Sequence, residues 1–588
     1  MTFRKPSLRS ILFPLLLAVI IGALAGLGAV LFRWLIEFGI NLFWTGEGGF
    51  VIQYEQAPML WRVGIPVLAG LILGPLLHFV APEIRGPGVP EVMVALAQRD
   101  GIIRHRVTLA KSLATATFIA SGCSVGREGP IVQIGSSIGS SLCQLLRLGP
   151  DHRKLAVACG AAAGIAATFQ APMAGTLFVV EILLFDLGVT SLSHIVIAAV
   201  TGTMVSRSFL IGGALFQVPQ FTLGHPAELL LYLGLGLMAG LLSLALMALI
   251  FGLSRGLNRL KIPGWLSPAL GGLLIGILGL FYPEALGVGY ESISGVLQGD
   301  VLCTTALILL LAKLLATGSC IGSGMSGGIF APSLFLGAML GGICGNLALL
   351  IWPNSPMLPG HFALVGMGAV VAGTTLAPIT AIFTIFELSY NYEIILPLML
   401  ACIPSIVIVR MLHGFSIYET RLLMQGIRIV RGHDANRLRA MKIRDHICTE
   451  YTSLPGETPL AEVMDLVLKN PFPHFMIHDD QEKLVGVLTL RDVRALLAQP
   501  GPADACLTAA DLMVRDVATV KENDNLEEAF HLFSNHQFSF LPVMSTSRPG
   551  HAVGCLKKDD LITAYNQHIL RDHCLPSSSL VCRLPGKK

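Results

Sequence analysis

Residues 111–139 read KSLATATFIASGCSVGREGPIVQIGSSIG, and residues 313–341 read KLLATGSCIGSGMSGGIFAPSLFLGAMLG. Laid over one another without a gap, they pair Lys111 with Lys313, Thr115 with Thr317, Ser124 with Ser326, Gly126 with Gly328, Pro130 with Pro332, Gly135 with Gly337 and Gly139 with Gly341. A Gly/Ser-rich break followed by Pro and a helical apolar run reads as an interrupted helix, with Pro in a first turn where its missing N–H costs nothing. The chain therefore carries two such breaks at matching places. Duplicated halves with broken helices are how many secondary transporters build a substrate site near the bilayer midplane. A second match follows, in which Thr168, Ala171, Pro172 and Glu181 pair with Thr374, Ala377, Pro378 and Glu387, so the duplication covers much of residues 50–400.

Composition agrees with a membrane location. The chain is 53% hydrophobic and 13% charged, with a mean hydropathy of +0.70, against roughly 25% charged residues in a soluble domain. No Asp, Glu, Lys or Arg occurs between Lys313 and Glu387, and a single helical span needs only about 20 apolar residues. Further spans are expected at 11–43, 63–80, 107–120, 155–184, 195–209, 229–251, 266–280 and 394–409. Arg4, Lys5 and Arg9 precede the first of these. That run is too long for a secretory signal and is read as a retained helix whose basic flank lies inside. Arg421, Arg428, Arg431, Arg437, Arg439, Lys442 and Arg444 follow the last span and put the C-terminus on the cytoplasmic side. The net charge of +3 mostly reflects such flanks and gives no reason to expect a nucleic-acid partner. The 12 cysteines show no CxxC and no metal-like spacing, so neither a disulfide framework nor a metal site is indicated.

The chemistry lies in the breaks. Backbone N–H groups freed at a helix start inside a bilayer must face protein, water or a ligand. Helix N-termini present several donors at a positive dipole end, which suits an anion. The alternative is that the glycines only permit close helix packing. Glu128, an ionisable residue inside one break, is a functional candidate by default. Its carboxylate can compete with an anion for the helix ends and leave when protonated, acting as gate and proton carrier at once. The competing reading makes it a structural partner of Arg127.

These residues also carry a resemblance. Gly126-Arg127-Glu128-Gly129-Pro130 is similar to the GREGP motif of the CLC chloride channel and transporter family. Gly328-Ile329-Phe330-Ala331-Pro332 resembles its GxFxP motif, and Arg85-Gly86-Pro87-Gly88-Val89-Pro90 its GSGIP motif. Tyr418 sits where the family has an anion-coordinating tyrosine. The resemblance runs from about residue 10 to 425. It implies that Glu128 is the gating glutamate, that the amides of Ile329 and Phe330 and the Tyr418 hydroxyl hold the anion beside the Pro87-Gly88 loop, and that the protein is a homodimer with one pore per subunit. The transported species would be chloride or nitrate, exchanged for protons. Pro87 departs from the family's usual serine and offers no donor, as in nitrate-preferring plant members. Many family transporters carry an inner-route glutamate at the position of Ile182. An apolar residue there resembles the channels, leaving Glu181 or a water chain for the proton. A passive gated channel is thus the alternative to antiport.

After residue 445 the composition turns soluble, and a second duplication appears. Asp445, Leu460 and Glu462 recur as Asp511, Leu526 and Glu528, and Gly486 and Asp492 as Gly554 and Asp560. Each unit reads as an amphipathic helix (460–468; 526–533), two apolar strands (475–477 and 484–488; 540–543 and 553–556) and a closing helix. This resembles a tandem of CBS domains, at 445–500 and 507–570. Similar pairs often bind adenine nucleotides, which here would use Asp492 and Asp560 as ribose-binding aspartates. The alternative is a scaffold that binds nothing. Residues 426–444 read as a basic linker, and residues 571–588 as a tail.

The expected fold is thus an all-α polytopic membrane bundle with an inverted repeat and discontinuous helices, plus an α+β tandem CBS domain. Anion transport without a required cofactor is the expected function. An intramembrane enzyme lacks any Ser/His, Ser/Lys or paired-Asp set within the spans. A nucleotide sensor with a membrane anchor would need one helix rather than a duplicated bundle.

Overall fold

The computed structural model describes residues 8–184, 189–209, 216, 227–353, 358–427, 438, 441–449, 451–469, 474–489, 492, 507–535 and 538–564. They form two compact units, one ending at Ile429 and the other beginning at Val430.

The first unit is helical: α1 (Leu8–Phe43), α2 (Phe50–Gln56), α3 (Met59–Pro75), α4 (Val89–Gln98), α5 (Arg106–Ala120), α6 (Glu128–Leu145), α7 (Pro150–Phe169), α8 (Pro172–Phe178), α9 (Val189–Phe209), α10 (Glu228–Arg259), α11 (Ser267–Phe281), α12 (Tyr290–Gln298), α13 (Cys303–Gly322), α14 (Phe330–Ile351), α15 (Pro359–Thr375), α16 (Pro378–Ser389), α17 (Ile395–Leu412) and α18 (Ile417–Met424). Among the described residues, seven helical stretches are long and apolar enough to cross a membrane, and four apolar helices are shorter. Large apolar side chains on the outside of the unit stay bare, among them Ile72 at 71%, Leu230 at 72% and Met411 at 79% exposure. Water would penalise such a surface, whereas hydrocarbon does not.

Both expected breaks are present. The first separates α5 from α6 between Ala120 and Glu128, and the second separates α13 from α14 between Gly322 and Phe330. One expected span, 155–184, is not continuous. It divides into α7 and α8 at Gln170, which adopts φ 55°, because the residue before a proline disfavours helix and Pro172 instead starts a new one. The duplicate does the same at Leu376, also at φ 55°, before Pro378.

The two halves meet through reciprocal contacts, the signature of a two-fold relation. Gly126 and Gly328 exchange backbone hydrogen bonds, 2.8 Å in one direction and 2.6 Å in the other. Thr115 Oγ1 lies 2.8 Å from Ser326 Oγ, and its duplicate Thr317 Oγ1 lies 3.0 Å from Ser124 Oγ. Glycines make the packing dense: a Cβ on Gly135 would strike the Gly160 carbonyl, and one on the equivalent Gly337 would strike the Gly366 carbonyl. These close approaches seat α6 on α7 and α14 on α15, as small residues do in membranes.

The second unit contains two similar sheets. In the first, β1 (Thr452–Pro455), β2 (His474–His478) and β3 (Leu484–Thr489) lie in that order, β1 parallel and β3 antiparallel to β2. In the second, β4 (Val520–Lys521), β5 (Phe540–Met544) and β6 (Ala552–Lys557) repeat the pattern. The central strands share an irregularity, at Ile477/His478 and Val543/Met544. Helices α19 (Leu460–Lys469), α20 (Ala509–Leu512) and α21 (Leu526–Asn535) accompany them. Strands β2, β3, β5 and β6 match the expected ones, while β1 and β4 are additional. Residues 441–444, expected in the linker, belong to this unit. Ile443 N donates to Asp524 O, Leu526 N to Met441 O, and the Ile443 side chain is fully buried in the second core. The expected tail lies outside the described residues.

Candidate functional site

Three loops and two helix starts converge where the breaks face each other. Glu128 opens α6 and is 2% exposed. Its Oε2 accepts from the Ala331 amide at 3.3 Å, in the first turn of α14, where amides have no intrahelical acceptor. A Cβ on Gly126 would collide with that same oxygen, so the glycine lets the carboxylate fold back toward the other half. Ile329 caps α14 and Phe330 opens it, which sets both expected anion-binding amides beside the atom that receives Glu128. The carboxylate thus stands at a positive helix end that an anion would also favour.

The Pro87-Gly88 loop closes on the same place. A Cβ on Gly129 would strike the Pro87 carbonyl, and Gly88, at φ 89°, abuts the Gln133 side chain and the Gly129 carbonyl. Buried Lys111 holds this loop by donating to Ile84 O at 2.9 Å and Gly86 O at 2.7 Å. Arg421 donates to Arg85 O at 3.0 Å. Tyr418, 2% exposed, follows a capping box in which Ser416 N donates to Glu419 Oε2 and Glu419 N to Ser416 Oγ. Its helix, α18, packs against α4, which begins directly after the Pro87-Gly88 loop. Glu128, Pro87, Gly88, Ile329, Phe330 and Tyr418 are therefore brought together.

Glu181 sits elsewhere, on the helical turn that continues α8. Its Oε1 accepts from Ile379 N at 3.2 Å, and its Oε2 from Thr380 N and Thr380 Oγ1, both at 2.7 Å. The duplicate Glu387 accepts in turn from Met173 N at 3.0 Å and Ala174 N at 2.7 Å. Each carboxylate caps the short helix of the opposite half. Ile182 is buried.

Two residues at the site carry no motif in the sequence. Gln133 is 2% exposed and donates to Glu83 O at 2.9 Å, while its Oε1 has no hydrogen-bond partner among the described residues. It lies on the wall of a cavity of about 470 Å3 shared with Glu83, Glu91, Arg99 and Arg104. The second is Tyr290, whose hydroxyl donates to Glu128 Oε1 at 2.6 Å. It was readable only by extending the repeat upstream, where Pro82, Glu83, Gly86 and Gly88 recur as Pro283, Glu284, Gly287 and Gly289.

In the second unit, Asp560 lines an open cleft of about 430 Å3 with His446, Ile447, Cys448, Thr449 and Thr563. Asp492 does not line it. Its Oδ2 instead accepts from Thr489 N and Oγ1 at 2.8 and 2.7 Å, and the residues that flank it lie mostly outside the described ones.

Comparison with known proteins matches this architecture. Residues 69–410 fit the voltage gated chloride channel family, and residues 443–499 and 509–567 each fit the CBS domain. A ClcB-like relative from Ralstonia nicotianae is 37% identical over 415 residues, which is 69% of this chain and 96% of the relative. The structure of a slow cyanobacterial Cl−/H+ antiporter covers 70% of this chain and 97% of its own at a TM-score of 0.64 and 25% identity. A eukaryotic CLC transporter, 21% identical, shares the fold over 94% of this chain and 99% of its own, at a TM-score of 0.62. By the span of that family match and the identity of that relative, the chain belongs to the voltage-gated chloride channel family and carries a tandem CBS module.

Proposed function

We propose that this protein moves chloride or nitrate across the bacterial inner membrane in exchange for protons, with Glu128 as gate and proton carrier. The observation that carries this reading is the Glu128 carboxylate on the Ala331 amide. An ionised side chain there occupies the helix end that would hold the anion, and a protonated one gives up its claim to that donor. Anion passage and proton uptake then share one side chain. The family and the antiporter among its structural relatives support the exchange mode. In this reading the protein is a homodimer with a pore in each subunit, its C-terminal module is cytoplasmic, and Pro87 biases the site toward nitrate by removing a side-chain donor.

A passive channel is the second reading, favoured by Ile182 and by Glu181, whose oxygens are already engaged as a helix cap. In the antiport reading the inner proton route therefore runs through water rather than through Glu181. The test is simultaneous measurement of anion and proton flux in liposomes reconstituted with the full chain. Uphill proton movement driven by an anion gradient is expected from wild type, and its loss with anion flux retained from Glu128→Gln. Wild type that moves no protons under any anion gradient establishes the channel.

The CBS pair is proposed to bind an adenine nucleotide. In this reading the Asp560 carboxylate would hold the ribose, in a cleft lined also by residues 446–449 and Thr563.

A further inference from the structure

The duplication is most informative where it fails. Position for position, Glu128 corresponds to Phe330, and Tyr290 corresponds to Val89. In each pair one half keeps an apolar residue and the other has a polar one. The two polar exceptions are far apart in sequence, yet they touch: Tyr290 Oη donates to Glu128 Oε1 at 2.6 Å.

The tyrosine is held firmly. It opens α12, directly after Gly289 at φ 86°. The loop before it is tied by Lys313, fully buried, which donates to Ala285 O at 3.1 Å, Gly287 O at 2.8 Å and Val288 O at 3.4 Å. This is the duplicate of the clamp by which Lys111 sets the Pro87-Gly88 loop. The Arg127 guanidinium lies over the Tyr290 ring at 5.0 Å, a cation–π arrangement, and Phe216 meets the ring edge-on at 5.5 Å. A cavity of about 510 Å3, lined also by Arg33, Glu37, Glu284 and Glu291, reaches Arg127 and Tyr290.

We propose that Tyr290 is a latch on the gate: its hydroxyl holds ionised Glu128 across the helix ends, and loss of that bond releases the side chain. This rests on the role of Glu128 proposed above. Tyr290 is a positioning residue, acting on the anion only through Glu128. The charged and titratable groups around the carboxylate are Arg127 at its own helix start, with Glu37 near it, Tyr290 from α12 and Tyr418 from α18. Of these, Tyr290 gives the direct bond to the carboxylate, so its removal shifts the balance between ionised and protonated gate. Taking away a donor to the ionised form favours the protonated form, and the gate then opens at higher pH.

The test compares wild type, Tyr290→Phe, Glu128→Gln and the double variant as full chains in liposomes, with anion efflux measured against pH. Phenylalanine keeps the ring under Arg127 and against Phe216. Tyr290→Phe is expected to raise the pH of half-maximal efflux by on the order of one unit, a tenfold change in the proton equilibrium. In the Glu128→Gln background it is expected to change nothing. Site-specific 3-fluorotyrosine at 290, a stronger donor of nearly the same size, is expected to move the midpoint the other way and serves if Tyr290→Phe does not fold. A midpoint unmoved by either replacement, or an equal effect of Tyr290→Phe with and without Glu128, overturns the latch. Wild type without proton flux would sink the antiport reading alone, because the efflux midpoint still reports on the latch.

Discussion

At the scale of single residues, carboxylates of equal chemistry are divided by what they accept from. Glu128 shares a helix end with the proposed anion, whereas Glu181 and Glu387 each spend both oxygens on a cap. Glu181→Gln keeps an acceptor but loses the charge. We expect it to leave the proton-to-anion ratio unchanged and to lower stability by about 1–2 kcal/mol, the range for a lost cap or a weakened charge-assisted bond. Paired flux and thermal-unfolding measurements check this, and loss of proton flux would instead return the side chain to the proton route. Pro87 makes a separate prediction, since a hydroxyl there would restore a donor for a compact anion. Pro87→Ser should lower the nitrate-to-chloride ratio in competition fluxes. An unchanged ratio would shift the determinant to Tyr418 and the amides of α14.

At the scale of elements, the glycines of the repeat do two jobs that the sequence could not separate. Gly126 and Gly328 shape the breaks, while Gly135 and Gly337 let helices touch backbone to backbone. Gly135→Ala sets a methyl against the Gly160 carbonyl, a neighbour with no freedom to yield. A loss of about 3 kcal/mol, the upper end for overpacking, is expected for it and for Gly337→Ala. Thermal unfolding in detergent measures both, and near-equal losses are expected because the two contacts are duplicates. The breaks, the α5/α6 and α13/α14 helices and four of the six strands among the described residues were legible because Gly, Pro and apolar periodicity act locally. Strands β1 and β4, of four and two residues, are too short to show alternation. The division at Gln170 was hidden inside an apolar run, although the Ala-Pro step that causes it was visible. The Tyr290–Glu128 bond and the burial of Gln133 depend on contacts between distant segments, which a single sequence does not display.

At the scale of the whole molecule, one chain joins two separate duplications. The membrane unit has diverged at Glu128 and Tyr290 while keeping its reciprocal frame of Thr115–Ser326 and Thr317–Ser124 bonds. The second unit repeats its strand order and its irregularity, yet its two aspartates differ. Asp492 is satisfied by Thr489, and Asp560 lines the open cleft. If the cleft takes a nucleotide, ligand binding must stabilise the folded chain by mass action, by about 2.7 kcal/mol at a concentration of 100 times Kd. Millimolar ATP, ADP or AMP is therefore expected to raise the unfolding temperature of the full-length protein, and Asp560→Ala to abolish that rise. Asp492→Ala should reduce it less, because its carboxylate is already committed to Thr489. The connecting residues after α18 run in sequence directly from the helix that carries Tyr418, so the same nucleotide is expected to change anion flux in liposomes when supplied on the module's side. No shift in unfolding temperature with any of the three nucleotides would leave the module a scaffold, and a shift without a change in flux would make it a nucleotide site uncoupled from the pore.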